Sequence, residues 1–250
     1  MSKIAVITGA TGGIGRKNAL ELGRMGYTVI INGIDDNQAK ECISLLEAEK
    51  ITCEYMNFNV CDEEAMDKGI KAIGEKYGVI DVLVNNAGGL GGRQRFEEME
   101  TSFFRNVMAL NLDSAFFASR AAIPYLKKSQ NNPCIINFCS NASYNGGGPG
   151  AGIYGVSKGG VLLLTRALAK DLAEYGIRVN AVSPGTIDTD FHAQIKATKP
   201  EVFESWKNNI LLKRLGQPEE VASVVGFLVS EKASFLTGEV IQINGGQDFM

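Results

Sequence analysis

The chain predicts an α/β fold: a doubly wound parallel sheet of about seven strands with helices on both faces, forming one domain over 1–250. Three observations predict it. Short β-branched runs alternate with longer stretches of helical periodicity from one end to the other. The runs are apolar without strict alternation, as strands are when helices cover both sides of a sheet. No Pro/Ser-rich linker, repeat or low-complexity segment divides the 250 residues.

In chain order, strands are expected near Ile4–Thr8, Thr28–Asn32, Cys53–Asn57, Val82–Asn85, Cys134–Ser140, Arg178–Ser183 and Val240–Asn244. Helical periodicity fills the gaps, over Arg16–Met25, Phe103–Arg120 and Gly155–Tyr175, with a further helix from about Pro218. The polar stretch 188–211 carries the single His and the single Trp and interrupts the alternation, which suits an excursion over a ligand site.

The formal net charge of -3 and the lack of any block of like charges argue against a nucleic-acid partner or a membrane patch, so a small metabolite is the expected partner. The start, MSKIAVITGA, turns Gly-rich after a short apolar run and reads neither as a signal peptide nor as a membrane span; a cytoplasmic location is expected. Five cysteines form no CxxC and have one His to join them. They read as packing residues of a reducing compartment, with no metal site expected.

The first strand runs directly into TGATGGIG, Thr8–Gly15, and then into a helix. Gly9 would permit the tight turn, Gly13 would let backbone approach a pyrophosphate, and Gly15 would let helix pack on strand, with the helix N-terminus facing the anion. A Rossmann-like dinucleotide site follows, and Thr11 belongs to it. Asp35 lies 20 residues after Gly15, close to the ~20 at which an acid bonds the adenosine ribose. A carboxylate there repels the 2'-phosphate of NADP, so NAD(H) is favoured over NADP(H). Asp35 or Asp36 could equally cap the next helix, Gly33 stands at the strand tip, and Arg16 or Lys17 could reach a phosphate.

Tyr154 and Lys158, in YGVSK, stand four residues apart in a helical run and so project from one face. A nearby ammonium stabilises a phenolate and lowers the tyrosine pKa, which suits a general acid or base.

With TGATGGIG, then NNAG at 85–88, YGVSK, and SPGTIDT at 183–189, the sequence resembles the short-chain dehydrogenase/reductase family over almost its whole length. The resemblance implies that Tyr154 protonates a substrate carbonyl oxygen as nicotinamide delivers hydride, that Lys158 binds the nicotinamide ribose and lowers the tyrosine pKa, that Ser140 polarises the carbonyl, and that Asn111 holds a water linking Lys158 to solvent. It also implies cofactor contacts at Ile14, at Asn59 and Val60 beside the adenine, at Asn86, Ala87 and Gly88 along the ribose, and at Ile187 and Thr189 beside the nicotinamide. Relatives commonly place the serine 13 residues before the tyrosine. Here Asn141 holds that position and Ser140 lies 14 before, with the extra residue taken up by the loop 146–150; Asn141 and Ser143 stay open as substrate contacts.

A closer likeness, carried by GGLGGR (88–93), GGGPGAGIYGVSK (146–158), SPGTIDTDFH (183–192) and INGGQ (243–247), is to reductases of 4-deoxy-L-erythro-5-hexoseulose uronate, the sugar acid left by alginate depolymerisation. These make 2-keto-3-deoxygluconate. Arg93 would clamp the substrate carboxylate, with Arg95 as a rival, and His192 would bond a hydroxyl. The alternatives are a 3-oxoacyl-(acyl carrier protein) reductase and, from another class, a catalytically silent dinucleotide-binding protein. The helical runs Phe103–Arg120 and Gly155–Tyr175 are apolar around much of their circumference; Phe116, Phe117, Leu162 and Leu163 suggest self-association, and the resemblance implies a homotetramer.

Overall fold

The computed structural model describes residues 2–249; of His192 and Gln194 the side chains lie outside the described part. The chain runs β1 (Lys3–Ile7), α1 (Gly13–Arg24), β2 (Tyr27–Gly33), α2 (Asp36–Ala48), β3 (Cys53–Asn57), α3 (Glu63–Tyr77) and β4 (Val82–Asn85). It continues through α4 (Thr101–Met108), α5 (Ser114–Leu126), β5 (Cys134–Phe138), α6 (Ala142–Asn145), α7 (Gly152–Leu172) and β6 (Arg178–Pro184). The last elements are α8 (Ala193–Thr198), α9 (Pro200–Asn209), α10 (Pro218–Val229) and β7 (Val240–Ile243).

The seven strands form one parallel sheet in the order β3-β2-β1-β4-β5-β6-β7. From β1 the chain first winds outward through β2 and β3, then returns to place β4 on the other side of β1. The crevice at the carboxyl ends of β1 and β4 is therefore the topological switch point at which such sheets take ligands. The motifs Thr8–Gly15 and Asn86–Gly88 sit at this crevice because each directly follows one of those two strands.

Both sheet faces are covered, which is why the strands read as continuous apolar runs. Along β1, Ala5 and Ile7 face a core shared with Leu22, Val84, Val225 and Leu228, while Ile4 and Val6 face one shared with Met66, Ile70, Ala118 and Leu168. Polar residues that enter this interior do so in bonded sets. Asn85 Nδ2 donates to Asn137 Oδ1, its partner in the ladder, at 2.8 Å and to Ser119 Oγ at 3.0 Å; Asn137 in turn donates to Thr165 at 2.9 Å. This string locks β4 and β5 to α5 and α7, the helices that hold the candidate site.

Two features depart from the sequence reading, and a third adds to it. The stretch expected as one helix over Phe103–Arg120 is α4 and α5 joined through a π-helical turn, Ala109–Asp113, which carries Asn111. The strand expected to reach Ser140 ends at Phe138: Cys139 N still bonds Val182 O, and then Ser140 N turns to the Ser143 hydroxyl. The 188–211 excursion is mostly helical, with Phe203 and Ile210 buried beneath it. Among the described residues no helix is long and apolar enough to cross a membrane, and no cluster of His, Cys, Asp or Glu could hold a metal ion.

Candidate active site

The glycine turn ends in a bare helix N-terminus. Helices α2 and α3 each begin with an aspartate accepting backbone N–H bonds, Asp35 and Asp62, whereas α1 has Gly12 at its cap, no side-chain cap bond and no acid in its first turn. The N–H groups of Gly13, Ile14 and Gly15 thus keep their donor capacity, and the helix dipole adds partial positive charge there. That arrangement fits a pyrophosphate. Gly15 admits no side chain, since a methyl group there would lie 2.2 Å from Gly9 O. Gly13, at φ +50°, would meet only the Thr189 methyl at 3.8 Å, so Thr189 leans over the cradle from the loop after β6.

The NNAG turn is bolted to the same cradle. Asn86 Nδ2 donates to Thr8 O at 3.0 Å and Gly9 O at 2.8 Å, and Ala87 N donates to Thr8 Oγ1 at 3.1 Å. Asn32, which the sequence reading passed over, accepts from Gly9 N at 3.4 Å and donates to the carbonyls of Met56 and Phe58, so it couples the glycine turn to the strand before Asn59 and Val60. Its signal was a polar residue in an apolar strand. Asn59 forms a local turn with Cys61 N, and Val60 is buried beside it.

At the adenosine edge, Asp35 spends its carboxylate on Asn37 N and Gln38 N as the cap of α2, and Asp36 accepts from Tyr55 and Asn57. Neither nearby cation is free. Arg16 donates twice to Thr11 O and once to Glu41, and Lys17 pairs with Glu219 at 2.9 Å.

Ser140, Tyr154, Lys158 and Asn111 converge at the crevice. Ser140 Oγ accepts from Ala142 N at 3.2 Å, and the Ser140 hydroxyl lies near enough to the Tyr154 phenol to favour its ionised form. Lys158 is buried, its Nζ 6.0 Å from the centre of the Tyr154 ring and 2.7 Å from Phe138 O, to which it donates. A methyl group at Gly88 would touch both Lys158 Nζ and Asn111 Oδ1, so these two meet across that glycine. Asn111 grips Gly89 in both directions, accepting from its N–H at 3.0 Å and donating to its carbonyl at 2.9 Å, and also donates to Val107 O. The π turn aims Asn111 inward, a recurrent use of such bulges.

The electrostatics differ from the sequence expectation. Burial pushes the Tyr154 phenol above its usual value, opposed by the Ser140 hydroxyl, and burial brings Lys158 down to about 8. The Lys158 amine is directed at Phe138 O and stands 6.0 Å from the centre of the Tyr154 ring. The pair remains a proton donor and a cationic donor sharing one helix face.

On the substrate side, the exposed Arg93 donates through Nη1 to Pro149 O at 2.9 Å, and Gln94 N donates to Gly150 O. The loop after NNAG is thereby stapled to the glycine loop before α7, with a guanidinium at the seam. Arg95 has no such bond to that loop. Asn141 is engaged elsewhere, donating to Asp248 at 2.9 Å. The Phe191 ring approaches Tyr154 with centroids 6.3 Å apart, and His192, the expected hydroxyl ligand, lies outside the described residues as a side chain. Ile187 is buried and tied by a backbone bridge to Gly216, which fixes the loop carrying Thr189. Chemically, the site offers two hydroxyls able to share one oxygen atom, a buried amine beneath them, and an anion cradle alongside.

A family model described as enoyl-(acyl carrier protein) reductase matches residues 9–248. The 3-oxoacyl-(acyl carrier protein) reductase of Aquifex aeolicus is 38% identical over 98% of this chain and 96% of the relative. A solved short-chain dehydrogenase/reductase of the glucose/ribitol dehydrogenase type from Brucella melitensis superimposes with a TM-score of 0.90 at 33% identity, covering 99% of this chain and 97% of that one. The structure of an NADH-dependent reductase, A1-R', responsible for alginate metabolism, does so with a TM-score of 0.90 at 32% identity, covering 100% and 98%.

Proposed function

The chain belongs to the short-chain dehydrogenase/reductase family and is an NAD(P)-dependent oxidoreductase, and on that premise we propose that it reduces the carbonyl of a small sugar acid at the Ser140–Tyr154 pair. The Ser140 and Tyr154 hydroxyls, brought near each other at the crevice, carry the reading. Hydrogen bonds from both hydroxyls to one carbonyl oxygen polarise it, and the phenol hands it its proton. A bound dihydronicotinamide supplies the hydride. Lys158 holds the nicotinamide ribose and returns a proton toward the phenol, and Asn111 fixes the Gly88–Gly89 turn against which Lys158 lies.

The specific substrate in this reading is 4-deoxy-L-erythro-5-hexoseulose uronate, giving 2-keto-3-deoxygluconate. It is supported by the Arg93 guanidinium at the mouth, which suits a carboxylate, and by the likeness to the alginate reductase. A second reading, reduction of a 3-oxoacyl thioester on acyl carrier protein, has the better support from likeness: curated relatives at 36% to 38% identity are such reductases, and the family model's description also names an acyl carrier protein. Initial rates with the uronate and with an acetoacetyl thioester, each with NADH and NADPH, separate the two. Turnover confined to the thioester overturns the sugar-acid reading, and turnover confined to the uronate overturns the other.

NADH is the proposed cofactor, supported by two acids at the end of β2 and by the pairing of Arg16 and Lys17 with Glu41 and Glu219. A homotetramer built on α5 and α7 is supported by Phe116, Val156 and Leu163, which are exposed; Leu162 instead packs within its own subunit. A cytoplasmic setting is supported by five unpaired cysteines.

A further inference from the structure

The chain's last turns reach back to the site. After β7, Asp248 Oδ2 accepts from Asn141 Nδ2 at 2.9 Å and from Asn145 Nδ2 at 3.1 Å. These asparagines stand four apart, at the two ends of α6, so one carboxylate oxygen fixes the direction of that short helix. The rest of α6 positions Ser140, through Ser140 N to Ser143 Oγ and Ala142 N to Ser140 Oγ. The preceding residue, Gln247, holds the opposite wall: its Oε1 accepts from Thr186 N at 3.0 Å and Thr186 Oγ1 at 3.1 Å. Thr186 begins the segment that carries Ile187 and Thr189.

The tail itself is well seated. Asn244 Nδ2 donates to Asp248 O at 2.9 Å, and Asn244 and Gln247 crowd Gly185 so closely that a methyl group there would lie 2.7 Å from each. Leu212 N donates to Gly245 O, which joins the end of the 188–211 excursion to the same tail. Consecutive side chains thus bind the two walls between which a carbonyl and a nicotinamide would meet.

We propose that Gln247 and Asp248 are positioning residues that set the spacing between the Ser140 hydroxyl and the Thr186–Thr189 loop. This rests on the reading that Ser140 holds the substrate oxygen. Misplacement of a reacting group by ~1 Å costs about 100-fold in rate, so a loosened clamp shows in turnover more than in cofactor affinity.

The test compares D248A, D248N and Q247A with the wild type, by steady-state rates, NADH fluorescence titration, the isotope effect with 4-deuterated NADH, and backbone hydrogen exchange. D248A is expected to lose ~10- to 100-fold in kcat with NADH affinity within about twofold, and with a larger isotope effect as hydride transfer becomes limiting. D248N keeps an oxygen able to accept both amides and is expected to return to within about threefold of wild type. Q247A should speed exchange at the Thr186 amide, and D248A at Ser143 to Gly146. D248A turning over like wild type, or D248N failing as badly as D248A, overturns the proposal. If the wild type is inert toward every carbonyl, the functional reading fails, and unchanged exchange at those amides would still overturn the clamp by itself.

Discussion

Lys158 directs its amine at the carbonyl oxygen of Phe138, 2.7 Å away, and not at the Tyr154 phenol, whose ring centre is 6.0 Å from the nitrogen. The strand-end carbonyl anchors the lysine while burial strips it of stabilising water, so its proton is held loosely, with a pKa of about 8. Reorientation toward a ribose hydroxyl requires only that this one bond be exchanged.

Tyr154 carries the transferable proton in the proposed reaction. Tyr154→Phe keeps the ring that packs near Phe191 and removes the hydroxyl beside Ser140. The variant should lose ~100- to 10,000-fold in kcat while binding NADH as before. Turnover above a tenth of wild type would take Tyr154 out of the chemistry.

Stability should vary with pH through Lys158. Its pKa falls from 10.5 to about 8 in the fold, so between those values the unfolded chain binds more protons than the native one, and stability rises with pH across the window. Below about pH 8 the full penalty, about 3 kcal/mol, is present. Lys158→Met removes the dependence. The Phe138 carbonyl it leaves without a donor costs about 1–3 kcal/mol, a sum that does not vary with pH. In urea melts from pH 7 to 10.5 the wild type should therefore gain about 3 kcal/mol relative to the variant, so that the curves cross or diverge, and parallel curves would contradict the assignment.

The two reaction directions should differ in pH profile. With burial holding Tyr154 protonated, reduction should stay flat through neutral pH, whereas oxidation of the alcohol needs the phenolate and should climb into the alkaline range. An oxidative rate independent of pH would count against Tyr154 as the base.

Asn111 grips Gly89 through paired bonds in a buried site. Asn111→Ala strands the Gly89 groups and the π turn, at a cost of roughly 2 kcal/mol. It should weaken NADH binding because the Gly88–Gly89 turn loosens. Melting curves and NADH titrations check this, and an unchanged dissociation constant would confine Asn111 to the fold.

Asp35 caps α2 just past the end of β2. Asp35→Ala should cost about 1 kcal/mol of stability, and Asp35→Asn much less, because Asn caps nearly as well. If the carboxylate also repels a 2'-phosphate, both variants shift the kcat/KM ratio toward NADPH. A ratio that stays put in Asp35→Asn would leave Asp35 as a cap alone.

Much of this molecule was legible in its residues because the relevant physics is local. Cys53–Asn57 and Val82–Asn85 end where the strand pattern ends, since a short β-branched run between breakers has few other options. The four-residue spacing of Tyr154 and Lys158 places them on one face in any helix. The glycine turn is equally local, with Gly9 at φ +60° and Gly13 at φ +50°, values that other residues adopt with strain. The π turn at Asn111 was not legible, because its sequence, ALNLD, is compatible with an uninterrupted helix and the bulge is imposed by the grip on Gly89.

The sequence by itself determined the parallel doubly wound sheet and the glycine turn, which follow from periodicity and glycine placement, and its ordered motifs pointed to Ser140, Tyr154, Lys158 and Asn111 through the family resemblance they carry. Only the tertiary structure decided how those groups are charged and aimed: that burial raises Tyr154 and lowers Lys158, that Asp35 is engaged as a cap, that Arg93 leans on Pro149, and that Asn141 answers to Asp248, 107 positions later. Desolvation and long-range hydrogen bonds depend on which distant segments are packed together, and that information exists only once the sheet has brought them into contact.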